Sequence, residues 1–143
     1  MVKKIQRRLG ADGFSLVEAL VALLVLSIGL LGVAGLQTNS LRSGNNALLH
    51  SKAVQSCEDI MDRMRANRAA AVDGDYDVAL TIVPAAPTYT GMVETDLDEW
   101  KTALQTNLPQ GDGSIATVDN IVTVTVQWQD SFGADSVVVG TRL

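Results

Sequence analysis

Residues 10–36 read GADGFSLVEALVALLVLSIGLLGVAGL, and this stretch decides the architecture. From Phe14 to Leu36 the chain is apolar for 23 residues, with Glu18 as its only charge. As a helix, at about 1.5 Å per residue, the run covers about 34 Å and is long enough to cross a bilayer core. A conventional secretory signal has a shorter apolar stretch, about 7–15 residues, with a small-residue cleavage site after it. Here the small residue, Gly13, stands before the run. Cleavage there removes a leader of residues 1–13 and leaves the hydrophobic helix in place. A charge inside a membrane span costs roughly 2.5–3.5 kcal/mol on insertion scales, so Glu18 needs a use. The competing reading is a plain single-pass anchor whose Glu18 snorkels to the interface.

Charge is distributed unevenly along the chain. The leader holds Lys3, Lys4, Arg7 and Arg8 against Asp12, a net of +3, and the whole chain is at −5, which leaves −8 for the rest. The basic leader puts the N-terminus in the cytoplasm and the acidic body on the far side of the membrane. A body of that charge repels phosphates, which argues against nucleic acid binding through the folded domain. Cys57 is the only cysteine, so no internal disulfide and no cysteine zinc cluster can form. It reads as a small buried apolar residue, with a regulatory or intermolecular thiol as the alternative. His50 is the only histidine, which leaves little for a histidine metal site or a serine–histidine triad. No phosphate-binding glycine loop, nucleophile motif or metal-ligand spacing is present, so no enzyme, cofactor or metal is expected.

The segment Gly13-Phe14-Ser15-Leu16-Val17-Glu18 resembles the class III signal of type IV pilins and type II secretion pseudopilins. A second stretch, Asp62-Arg63-Met64-Arg65-Ala66-Asn67-Arg68-Ala69-Ala70-Ala71, resembles a block of the PilV-type minor pilins, the type IV pilus modification proteins. The likeness extends through residues 30–37, Trp100, the Leu108-Pro109 and Gly111-Asp112-Gly113 stretch, and the strand ending at Trp128. It implies an α+β, pilin-like fold: a long N-terminal helix packed on a small antiparallel sheet. Prepilin peptidase is then expected to cut after Gly13 and methylate the new N-terminal amine of Phe14. Glu18, fifth after the cut, is expected to neutralise the amine of a neighbouring subunit during assembly. An ammonium and a carboxylate are each costly to bury alone, and pairing recovers much of that cost. The resemblance further implies a minor pilin that primes pilus assembly, with other minor pilins, the major pilin and a large tip adhesin as partners. The chain would sit in the inner membrane first and in a surface pilus later. A type II secretion pseudopilin is the alternative, and an anchored periplasmic binding module that never polymerises is a third reading.

The rest of the chain divides into the second half of the helix, residues 37–71, and a globular sheet domain, 72–143. No proline interrupts 37–71, and Ala, Leu, Arg and Met favour helix there. One long helix is expected from about 14 to about 70, with Gly44 and Asn45-Asn46 as places where it could kink. Val54, Cys57, Met61 and Met64 form its apolar stripe, broadened by Ala53 and Ile60. Gly29, Gly32 and Gly35 in the membrane half permit close helix contact, or reflect ordinary glycine enrichment in spans. Residues 73–77, DGDYD, read as a polar turn, with calcium binding as the sharper alternative. Val78–Val83 reads as a strand closed by Pro84-Ala85-Ala86-Pro87. Thr95 is expected to N-cap a helix through about Thr106, with Asp96, Asp98 and Glu99 in its first turn and Leu97, Trp100, Leu104 and Leu108 buried. Gln110 to Gly113 reads as a turn. Strands are expected over 114–118, 121–129 and 136–143, the first two joined by a tight turn at Asp119-Asn120.

Overall fold

The computed structural model describes residues 14–80 and 91–142. The chain divides into two compact units at the Leu41–Arg42 boundary.

In the first unit, helix α1 (Leu16–Ala66) begins two residues after Phe14. Every large apolar side chain from Phe14 to Leu36 is at least half exposed, with no polar stripe between them. A helix apolar all round has no stable place in water and belongs in lipid or among other helices. Ser27 satisfies its hydroxyl inside this run by donating to the Leu23 carbonyl at 2.7 Å. Such back-bonding keeps a polar group affordable in hydrocarbon.

In the second unit, α1 continues and acquires a buried stripe: Leu49, Ala53, Cys57, Ile60, Met61 and Met64. The spacing follows the helical period, as expected, with Leu49 opening the stripe one turn before Ala53. Gly44, Asn45 and Asn46 stay helical. The expected run to about residue 70 is broken instead at Asn67, which leaves helical geometry (φ −113°, ψ 53°) before a short helix α2 (Arg68–Val72). Asparagine is a poor helix former whose amide competes for other partners. Here its Nδ2 donates to the Tyr76 hydroxyl at 3.3 Å.

Helix α3 (Met92–Asn107) starts three residues earlier than Thr95. Thr95 lies in its first turn, and its hydroxyl donates to the Gly91 carbonyl. Val93, Leu97, Trp100 and Leu104 form the buried face, with Leu108 just beyond the helix. The Trp100 indole N–H donates to the Ser56 carbonyl at 3.0 Å, which locks α3 to α1.

Three antiparallel strands follow, β1 (Asp112–Val118), β2 (Ile121–Gln129) and β3 (Ala134–Arg142), in spatial order β1-β2-β3. Asp119 and Asn120 both take positive φ, the geometry of the tight hairpin turn that joins β1 and β2. Val122, Val124, Val126 and Trp128 alternate into the core, and the His50 ring meets Trp128 edge-on at 6.1 Å. The long helix packed on a three-stranded antiparallel sheet is the α+β, pilin-like architecture expected from the sequence.

The expected turn at Gln110–Gly113 is shorter, because Asp112 and Gly113 already belong to β1. Gly113 has a packing reason to be glycine: a Cβ there would lie 2.5 Å from Cη2 of Trp100 and 2.9 Å from Leu104. Of the expected strand Val78–Val83, Val78 forms only an isolated bridge with Ile115. Residues 81–83 and the Pro84–Pro87 closure lie outside the described residues. Strand β3 begins at Ala134 rather than Ser136, because the four-residue loop 130–133 is closed by the Asp130 N–H bonding the Gly133 carbonyl at 2.7 Å.

Candidate processing and assembly segment

Gly13 lies outside the described residues, so the local geometry starts at Phe14. Ser15 stands just before α1, and its hydroxyl accepts the Glu18 backbone N–H at 3.4 Å. Ser15-Leu16-Val17-Glu18 is the S-x-x-E pattern of a capping box, in which the first residue covers an orphan N–H of the first turn. Glu18 also brings a negative charge to the positive end of the helix dipole. The S-x-x-E pattern, visible in the sequence, thus gives Glu18 a local role at the helix start besides its place as a charge in the apolar run. Glu18 is solvent-exposed, as is Phe14. A new amine on Phe14 would stand at the N-terminal end of α1, where the dipole opposes positive charge.

A second constellation lies in the Arg-rich block. Arg63 on α1 donates to Glu99 at 2.6 Å and to Asp96 at 3.2 Å, both on α3, and to Asp59 at 3.2 Å one turn back. Asp96 is buried, and its other oxygen accepts the Tyr76 hydroxyl at 2.6 Å. The Glu99 hydrogen bond, followed by those from Asp96 and Asp59, holds the Arg63 guanidinium even more firmly charged than usual against the cost of its burial. Burial and the bond to Asp96 push the Tyr76 phenol up to about 12. Arg63, Asn67, Tyr76 and Asp96 thus clasp the end of α1 to α3 and to the 73–77 turn. Arg65 pairs with Asp62 within the helix, and Arg68 is exposed. A cleft of about 310 Å³ beside this clasp is lined by Arg63, Ala66, Asn67, Met92 and Asp96, whose charged members are already paired.

Sequence reading placed Asp96 among first-turn acids and Tyr76 in a solvated turn. Both are buried, and their pairing across 20 residues carries no local sequence signal. Lys101, half-way along α3, bonds the buried Asp112 carboxylate and the Gly113 and Ala79 carbonyls. Cys57 is buried on the α1 stripe, and burial together with the charge of Glu58 pushes its thiol up to about 11. Among the described residues no cluster of three or more His, Cys, Asp or Glu side chains is arranged to hold a metal ion.

Residues 9–34 match the prokaryotic N-terminal methylation motif. The match spans the junction at Gly13-Phe14, Glu18 and most of the apolar run. It indicates a type IV pilin-like or pseudopilin protein and, with it, processing by prepilin peptidase and assembly into a pilus or pseudopilus. The exposed apolar helix fits anchorage in the inner membrane before assembly. No curated protein and no solved structure matches the chain.

Proposed function

We propose that this chain is a structural, non-enzymatic subunit: a minor pilin of a type IV pilus that helps prime assembly in a complex with other minor pilins. The observation that carries the reading is the methylation motif over residues 9–34 set on a helix with no polar face. Prepilin peptidase removes residues 1–13 and methylates Phe14. The mature helix then leaves lipid for a bundle of similar helices, an exchange of one apolar surrounding for another that involves little change in burial. What makes docking directional is the polar pair. The Phe14 amine is opposed by its own helix dipole, so a carboxylate from a neighbouring chain stabilises it, and Glu18 in turn serves the next amine. A chain that retains Glu18 can sit beneath another subunit as well as above one. The Arg63–Arg68 block supports the minor pilin over the secretion pseudopilin through its resemblance to pilus modification proteins. The sheet domain, on the periplasmic side before assembly, faces outward from the filament and is available to a large tip adhesin.

The test is mass spectrometry of filaments sheared from the cell surface, read for a peptide beginning with N-methylated Phe14. Enrichment over membrane contamination is expected. The methylated peptide confined to membranes would transfer the chain to the secretion pseudopilins, and an intact leader throughout would reduce it to a simple anchor.

A further inference from the structure

Phe14 and Ser15 are non-helical, and α1 begins at Leu16. In an α-helix each N–H bonds the carbonyl four residues back. A helix that ran on toward the leader would therefore pair Glu18 with Phe14, and then Val17 with Gly13. The ladder stops at the first of these steps. The Ala19 N–H bonds the Ser15 carbonyl at 3.1 Å, and the preceding N–H, that of Glu18, turns to the Ser15 hydroxyl at 3.4 Å. The hydroxyl takes the N–H that the Phe14 carbonyl would need to join the helix. A side-chain oxygen at this position satisfies a first-turn N–H, and alanine cannot.

The methylation motif over residues 9–34 covers this same stretch, and the cut proposed above falls between Gly13 and Phe14, just upstream of the capped start. A peptidase must reach the carbonyl of the bond it cuts, and a helix commits its carbonyls to its own ladder. The sequence also offers a rival start. Asp12 is the next strong capping residue upstream, and a helix capped there would begin at Gly13. In that register the Gly13 carbonyl accepts the Val17 N–H, and the Gly13–Phe14 bond lies inside the first turn. Gly13 itself is a poor helix former, which weights the balance toward Ser15.

We propose that Ser15 is a positioning residue for leader removal: its hydroxyl caps α1 and so keeps the Gly13–Phe14 bond in the non-helical conformation that the peptidase cuts. Ser15 acts through the helix start rather than by contact with the enzyme. Its role is set by competition with Asp12, and exchange of a capping serine for alanine shifts such a competition about fivefold. The carboxylate of Glu18 has no part in this, because only its backbone N–H is capped.

The inference rests on the cut after Gly13, as proposed above, and is tested separately from it. The full-length precursor in detergent is incubated with membranes containing prepilin peptidase, and the initial rate of release of residues 1–13 is read by mass spectrometry. Ser15→Ala is expected to lower kcat/KM by about three- to fivefold, while Ser15→Thr, which keeps a capping oxygen, stays within about twofold of wild type. Adding Asp12→Ala to Ser15→Ala removes the rival cap and should bring the rate to within about twofold of Asp12→Ala alone. In the same precursors the Cα chemical shifts of Gly13 and Phe14 should move toward helical values in Ser15→Ala and return in the double variant. Cleavage of Ser15→Ala at the wild-type rate overturns the proposal. So does a loss that Asp12→Ala leaves undiminished, because the enzyme would then be reading the hydroxyl itself. Helical shifts at Phe14 in the wild-type precursor overturn it as well. A wild-type chain that keeps residues 1–13 removes the processing reading, and this inference with it.

Discussion

Replacing Tyr76 with Phe removes a single oxygen from the clasp at the end of α1, and the structure sets the size of the effect. The Tyr76 hydroxyl donates to Asp96 at 2.6 Å and accepts from Asn67 at 3.3 Å, with the tyrosine fully buried. A hydrogen bond to a charged group contributes about 1.5–3 kcal/mol, and Asp96 keeps only its Arg63 bond once the phenol is gone. In a unit of about 100 residues, each kcal/mol moves the melting point by about 4–5 °C, so Tyr76→Phe should lower it by about 6–15 °C. Both tryptophans, Trp100 and Trp128, lie buried in this unit, so their fluorescence on heating the detergent-solubilised chain reports its melting without interference from the apolar half of α1. The pH dependence gives a second handle. Folding raises the phenol from its ordinary 10 to about 12, because the neutral form is the one that is buried and bonded. Its contribution is complete below pH 10 and is lost as pH rises from 10 to about 12, where the unfolded chain ionises first. The buried Cys57 thiol, pushed up to about 11, weakens wild type and variant alike from about pH 9. The gap between the two proteins therefore stays constant to pH 10 and narrows above it. A variant that melts within 1–2 °C of wild type at neutral pH, or a gap that widens in alkali, would refute the clasp.

Other substitutions test other parts of the argument. Gly113→Ala forces a methyl into Trp100 and should destabilise the globular unit by about 1–3 kcal/mol, seen as an earlier and red-shifted tryptophan transition. Gly13→Arg should block the peptidase and leave an unprocessed chain near 15.2 kDa on immunoblots; normal trimming would place the cut elsewhere. Glu18→Ala should insert into membranes normally yet fall at least about tenfold in sheared filaments, whereas undiminished incorporation would exclude amine pairing. Cys57 should resist maleimide in the folded chain and react once it is denatured; rapid labelling of folded protein would contradict its burial.

The parts of the fold that repeat with a fixed period were legible in the sequence. The α1 stripe from Ala53 to Met64 and the alternation from Val122 to Trp128 follow from 3.6- and 2-residue spacing, and Asp119-Asn120 announces its turn by residue type. What escaped were features that depend on a distant partner. Asp112 and Gly113 look like a turn in isolation; a tryptophan lying on the glycine and a lysine on the aspartate make them a strand. Tyr76 and Asp96 look solvated until folding brings Arg63 between α1 and α3. Asn67 offers a helix no strong reason to stop, and Tyr76 supplies one. At the N-terminus the junction and Glu18 were readable as a motif, while the capping role of Ser15 needed the local geometry to make it plain.

The stripe on α1 also has a consequence in time. Leu49 to Met64 emerge from the ribosome well before the strands that cover them, and Gln129 follows Met64 by 65 residues. At roughly 5–20 residues per second the interval is about 3–13 s, during which an anchored helix displays its core-facing side chains to water with nothing to pack against. Closure of the globular unit must wait for nearly the whole chain, so folding is completed only after the N-terminal span is already committed to the membrane. A chain built this way is most vulnerable to proteolysis and off-pathway association in that interval.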